Sequence, residues 1–183
     1  GAIGFAASAN AIDDQIEFNL KLKSGQLMVG GREMYHDDTS HRRIGWSFKD
    51  SPVSVEYRRV NSNESRYRVS VKNFNHADSI GGEWFYKSRF EYRDRQQKEN
   101  AWRYRPQFGY VFPKTDSFGT PYITLEPHWE IATGVEGFKK MQTYIGTSYD
   151  FGTLSVGPFY ERDYDRNLST TASYVGVDIQ LKF

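Results

Sequence analysis

Along most of the chain, apolar and polar residues alternate with a period of two, and the apolar member is often aromatic. Successive side chains of a strand point to opposite faces, so this period specifies strands with one apolar and one polar face. Ile44, Trp46 and Phe48 alternate with Arg43, Gly45, Ser47 and Lys49; Val53, Val55 and Tyr57 follow, alternating with Ser54, Glu56 and Arg58. Trp84, Tyr86, Phe90 and Tyr92 share one face, opposed by Glu83, Phe85, Lys87, Arg89, Glu91 and Arg93. The pattern recurs at Trp102–Phe112, Ile123–Ile131, Met141–Tyr149, Leu154–Glu161 and Val175–Phe183.

Counting from about Gln26, the alternation predicts ten strands. An amphipathic segment (Ile16, Phe18, Leu20, Leu22) lies ahead of Ser24-Gly25. Bacterial single-chain barrels have even strand numbers. Ten is therefore allowed if the early segment lies outside the wall, and twelve if one more strand exists. The aromatic faces carry Trp84/Tyr92 and Trp102/Phe112 near their ends, as interfacial girdles do, while the opposite faces carry charge in mid-strand. A soluble sandwich would show a milder solvent face. The fold class expected is all-β, a transmembrane antiparallel up-and-down β-barrel.

Composition fits that expectation. The 183 residues include 13 Tyr, 13 Phe and 4 Trp, yet mean hydropathy is −0.72, a combination that a barrel wetted on one face reconciles. A net charge of +1 gives no global field for nucleic acid, and the absence of Cys excludes a disulfide framework. Residues 1–11, GAIGFAASANA, are uncharged and end Ala9-Asn10-Ala11, read as a signal-peptide remnant with its cleavage site. Residues 12–183 are then one outer-membrane barrel domain.

If the aromatic faces meet lipid, the alternate faces line the lumen. On the earlier strands these include Arg43, Lys49, Arg58, Arg66, Arg68, Lys72, Lys87, Arg89, Arg93, Arg103 and Arg105, against only Glu56, Glu83 and Glu91. The later strands reverse the bias with Glu126, Glu130, Asp150, Glu161 and Asp178 against Lys182. One wall reads as a cationic track with too few acids to neutralise it. Arg suits carboxylate binding because its planar fork donates two parallel hydrogen bonds. Phe85, Phe159, Tyr122, Tyr144 and Tyr174 are placed to stack on sugar rings. The competing reading is that the charges pair across the interior and fill it.

Gly31-Arg32-Glu33-Met34-Tyr35-His36-Asp37-Asp38, then Ser40-His41-Arg42-Arg43 and an alternating hairpin, resemble the start of the oligogalacturonate-specific monomeric porins (the KdgM type, which includes sialic-acid channels). Trp102-Arg103-Tyr104-Arg105-Pro106 is similar to that family's Tyr-Arg-Pro segments, and Val175–Phe183 to its closing strand. The resemblance implies a monomeric twelve-stranded barrel that passes acidic oligosaccharides across the outer membrane along its arginines, here Arg43, Arg58, Arg66, Arg68, Arg89, Arg103 and Arg105. No cofactor is implied. The segment Asp13–Lys23 has no counterpart in the family.

Other chemistries find less support. An outer-membrane lipid hydrolase needs an outward nucleophile and base, and none of His36, His41, His76 and His128 sits in a His-x-Ser arrangement. His36, Asp37, Asp38 and His41 read as a polar loop rather than a metal site. Asp163-Tyr164-Asp165-Arg166-Asn167 has the alternating acids of a calcium loop, but Leu168 stands where that pattern needs Gly. The remaining rivals are a non-conducting structural or adhesion barrel with a plugged interior and a soluble barrel that binds an acidic ligand.

Overall fold

The computed structural model describes residues 15–34, 39–132 and 134–183. Its first six strands are β1 (Gln15–Ser24), β2 (Leu27–Met34), β3 (Thr39–Ser47), β4 (Val53–Val60), β5 (Glu64–Ala77) and β6 (Glu83–Arg95). Then come β7 (Ala101–Tyr104), β8 (Gln107–Val111), β9 (Thr120–Ala132), β10 (Val135–Phe151), β11 (Leu154–Tyr164) and β12 (Thr170–Lys182). The twelve strands form one sheet, closed where β9 meets β10 and where β12 meets β1. Every pairing is antiparallel except β1 with β12, which is parallel.

The period-two segments became wall strands, as expected. β7 and β8 hold one register against β6 and against β9, so they are halves of a single rank interrupted at Pro106. That register sets Pro106 opposite Pro127 of β9. Neither residue has an N–H to donate, so the ladder lapses there. Among the described residues the barrel thus has twelve strands in eleven ranks. The eleventh is β1, the early segment that a ten-strand count would leave outside the wall. Its register runs Lys21↔Gly30 on β2 and Lys21↔Gln180 on β12.

The turns at 25–26, 48–52, 78–82, 112–119 and 152–153 lie together with Phe183 at one end, the lower rim; the connections at 61–63, 96–100 and 165–169 form the upper rim. Lys49 falls in the 48–52 turn rather than on a strand. At 25–26 the chain reverses in two residues, and Gly25 takes φ +55°, the left-handed conformation such tight hairpins require. Asp78 ties its own turn by accepting from the N–H of Ile80 and Gly82 and from the Tyr110 hydroxyl. The tyrosine bond holds the Asp78 carboxyl below its ordinary pKa.

Burial is inverted relative to a soluble domain. Among the described residues, the buried apolar set is only Val60, Ala101, Tyr110, Phe159 and Tyr174, whereas Glu17, Glu91, Glu126, His128 and Glu161 are almost completely enclosed. The exterior is apolar: Trp84 is 54% and Trp102 60% exposed, alongside Leu20, Ile44, Phe90 and Ile123. One outward row runs Tyr57, Tyr67, Tyr92, Trp102 across β4–β7, with neighbouring ring centroids 5.4, 6.4 and 5.0 Å apart. Towards the lower rim, Tyr86 stacks on Phe108 at 4.7 Å and packs against Phe74 at 6.1 Å. A continuous apolar exterior of this extent needs a non-aqueous neighbour.

Candidate functional site: the barrel lumen

All ten cations expected to line the pore lie on inward positions of β3–β8 or at the β7–β8 break. Cross-strand register sorts most of them into two adjacent rows. The first is Arg43, Arg58, Arg66 and Arg93, direct partners on β3, β4, β5 and β6. Like charges placed directly opposite destabilise a sheet, so this row exists against the local electrostatics. The second row alternates in sign: Glu56, Arg68, Glu91, Arg103 and Glu130, on β4, β5, β6, β7 and β9.

Acids from the same strands and from the next rank, β9, bind these cations, which corrects the expectation of an un-neutralised track. Glu91 is fully enclosed; Arg68 Nη2 donates to it at 2.8 Å, and Arg103 and Arg105 approach at 3.7 and 3.6 Å. Glu126 of β9, two ranks from β6, accepts from Arg89 at 2.6 Å and from Arg105 Nε at 2.7 Å. Glu130 takes Arg103 at 2.6 Å and Arg93 at 3.1 Å, and Glu64 binds Arg93 and Arg66. Arg58 is held by Glu56 at 2.9 Å and lies 3.4 Å from His41 Nδ1. Together these residues form a girdle at mid-lumen. Sequence alternation identifies the inward face but not the register between strands, so the partners on β9 were not legible.

The lower half of the lumen differs. Arg43 keeps Nε and Nη2 buried without a hydrogen-bond partner. Lys72 and Lys87 are cross-strand neighbours on β5 and β6, and among the described residues neither has an ion-pair partner. Here lies a cavity of about 440 Å³, bounded by Lys21, Arg43, Phe85, Arg89, Tyr122 and Phe159 among others. Its aromatics lie flat on glycines. A Cβ on Gly109 would sit 2.4 Å from the Phe85 ring, one on Gly146 2.6 Å from the Tyr122 hydroxyl, and one on Gly176 2.3 Å from Phe159. Missing side chains on the wall thus let the rings fold back and leave space. A second cavity, of about 380 Å³, opens above the girdle between Arg93, Arg103, Glu130 and Lys140, and shares no lining residue with the first.

The other expected features fall as follows. Tyr144 borders the lower cavity, Tyr174 is buried, and His128 is enclosed beside Glu126 at 3.2 Å. His41 belongs to β3 and points inward to Arg58 rather than sitting in a loop; His36, Asp37 and Asp38 lie outside the described residues, as do residues 1–11. The alternating acids at the end of β11 are divided: Asp163, on the strand, faces inward to Lys140 and Gln142, while Asp165 closes the 165–169 turn by accepting from Asn167 and Ser169 N–H. Among the described residues no group of three or more His, Asp or Glu side chains is disposed to hold a metal ion.

Sequence reasoning missed Glu17. It lies on β1, accepts from Arg32, and is within 2.5 Å of Asn19 Nδ2. Glu161 accepts from Arg32 at 3.3 Å on the opposite side. The alternation of Ile16, Phe18, Leu20 and Leu22 already placed Glu17 on a polar face; only the membership of β1 in the wall was lacking. No protein-family model matches the chain, and no curated protein matches it in sequence.

Proposed function

We propose that the chain is an outer-membrane channel that lets acidic oligosaccharides diffuse through its lumen. The observation that carries this reading is the row Arg43–Arg58–Arg66–Arg93, whose first two members border the lower cavity, together with unpaired Arg43 in that lining and unpaired Lys72 and Lys87 further towards the lower rim. Opposing like charges on adjacent strands cost stability; Arg58, Arg66 and Arg93 offset this with glutamates, whereas among the described residues Arg43 has no carboxylate and is open to an anion. The apolar, aromatic-banded exterior supports a bilayer setting, and the segments resembling the oligogalacturonate porins support the choice of anion. Transit then means carboxylate exchange: a sugar carboxylate replaces Glu126 or Glu130 on a guanidinium and is released when the glutamate returns. Conduction needs such weak sites in series. Phe85, Tyr122 and Phe159, flat against the wall, offer ring faces to the sugar while leaving the path clear.

One observation favours a second reading, a closed structural barrel: the enclosed Glu91 girdle separates the two cavities. Single-channel recording in a planar bilayer under a salt gradient discriminates the two. The channel reading expects stable conductance with anion preference that falls on adding oligogalacturonate. Absence of conductance from folded barrel overturns it in favour of the closed one.

A further inference from the structure

The parallel β1–β12 seam follows from the odd number of ranks, and its neighbours are already matched without it. Leu22 of β1 is the register partner of Val29 on β2 and of Leu181 on β12; Leu20 is likewise the partner of Gly31 and Ile179. Val29 and Leu181 therefore stand at one level, as do Gly31 and Ile179, each pair on the outward face. β2 and β12 run in opposite directions. We infer that β1 is an exchangeable strand: it can leave the wall, and β2 then pairs directly with β12, in that register, to close a fully antiparallel barrel of ten ranks.

Three features support this. Parallel pairing is slightly weaker per residue than antiparallel, and β1 makes the barrel's one parallel pairing among the described strands. The seat of β1 depends on absent side chains on both neighbours: a Cβ on Gly30 would meet Leu20 O at 2.3 Å, and one on Gly176 would meet Glu17 O at 2.9 Å. The backbone donors and acceptors that β2 and β12 now share with β1 would find each other after its departure, so the wall is left with no open edge. β1 stays tethered through the 25–26 turn. Its departure removes Glu17, Asn19 and Lys21 from the border of the lower cavity. Arg32 keeps Glu161, 3.3 Å away. The ten-rank state is narrower, and β1 sets lumen width.

The chain has no cysteine, so paired cysteines report the seam directly. Adjacent strands lie about 4.8 Å apart, which puts β2 and β12 about 9–10 Å apart while β1 is between them. A disulfide needs Cα atoms within about 7 Å. In liposomes under mild oxidation, Leu22→Cys/Leu181→Cys should cross-link in the state described here. Val29→Cys/Leu181→Cys should cross-link only as β1 leaves, and faster when Gly30→Val blocks the seat. Cross-linking of the first pair alone, unchanged by Gly30→Val, overturns exchange; failure of both pairs in folded barrel overturns the parallel seam itself. The cross-link does not depend on transport. The accompanying drop in conductance of the Val29–Leu181 disulfide form rests on the channel reading and tests it separately.

Discussion

The lower lumen and the mid-lumen girdle are built from the same alternation, yet one makes room and the other fills it. In the lower half, inward positions fall to glycine beneath Phe85, Tyr122 and Phe159, and three cations stand without acids. In the girdle, each of Arg68, Arg89, Arg93, Arg103 and Arg105 has a carboxylate. On the proposed channel reading, the difference separates stability from ligand affinity along the axis. Paired charges tie neighbouring ranks together, whereas the unpaired ones are those that a solute would meet.

The strongest way to break the contrast is to remove the acid at its centre. Glu91→Gln leaves Arg68, Arg103 and Arg105 around an uncharged group, and losing one member of a buried ion cluster costs about 3–5 kcal/mol. The urea midpoint of the bilayer- or detergent-folded barrel should fall accordingly. An unchanged midpoint would show that the girdle is hydrated and does not fasten the ranks.

Next in size is a change that makes the lower half resemble the filled half. Gly109→Val puts a side chain where Phe85 now lies, so the ring must turn into the cavity. Overpacking of this kind costs about 1–3 kcal/mol. Single-channel conductance should drop while the anion-to-cation ratio stays as it was, because no charge has moved. A drop in selectivity instead would mean that the ring also positions the cations.

A third change works from the girdle side. Arg105→Gln removes the guanidinium that spans Glu91, Glu126 and Gln142. Conductance should rise as this bulky inward cluster is trimmed, and anion preference should fall because Glu126 keeps only Arg89 as an arginine partner. Unaltered conductance would place the narrowest point elsewhere.

How far this contrast was legible in sequence follows from what period two encodes. It assigns a face to each residue, so Trp84, Phe90 and Trp102 outside and Arg58, Arg68 and Arg103 inside were readable. It carries no information on register between strands, so the meeting of Arg89 with Glu126, 37 residues apart and two ranks away, was not. Nor does it say whether an amphipathic segment joins the wall, which is why β1 and Glu17 escaped. Glycines at inward positions read as plain gaps in the polar face. Their purpose emerges only from registers such as Phe85↔Gly109 and Phe159↔Gly176.

The smallest expected effect is the most informative about purpose. Arg43 faces Arg58 across β3 and β4 and leaves two nitrogens without partners. Opposing like charges in a sheet are unfavourable on the scale of about 0.2–1 kcal/mol per pair. Arg43→Gln should therefore leave the barrel equally or slightly more stable, by roughly half a kcal/mol at most. Anion preference should nevertheless fall, and block by acidic oligosaccharide should weaken, since the cavity loses a cation that no acid competes for. Reversal potential and urea midpoint, measured on the same variant, settle the matter. Stability gained with selectivity lost marks Arg43 as retained for its ligand. Stability lost with selectivity kept would make it a structural residue and take the strongest support from the channel reading.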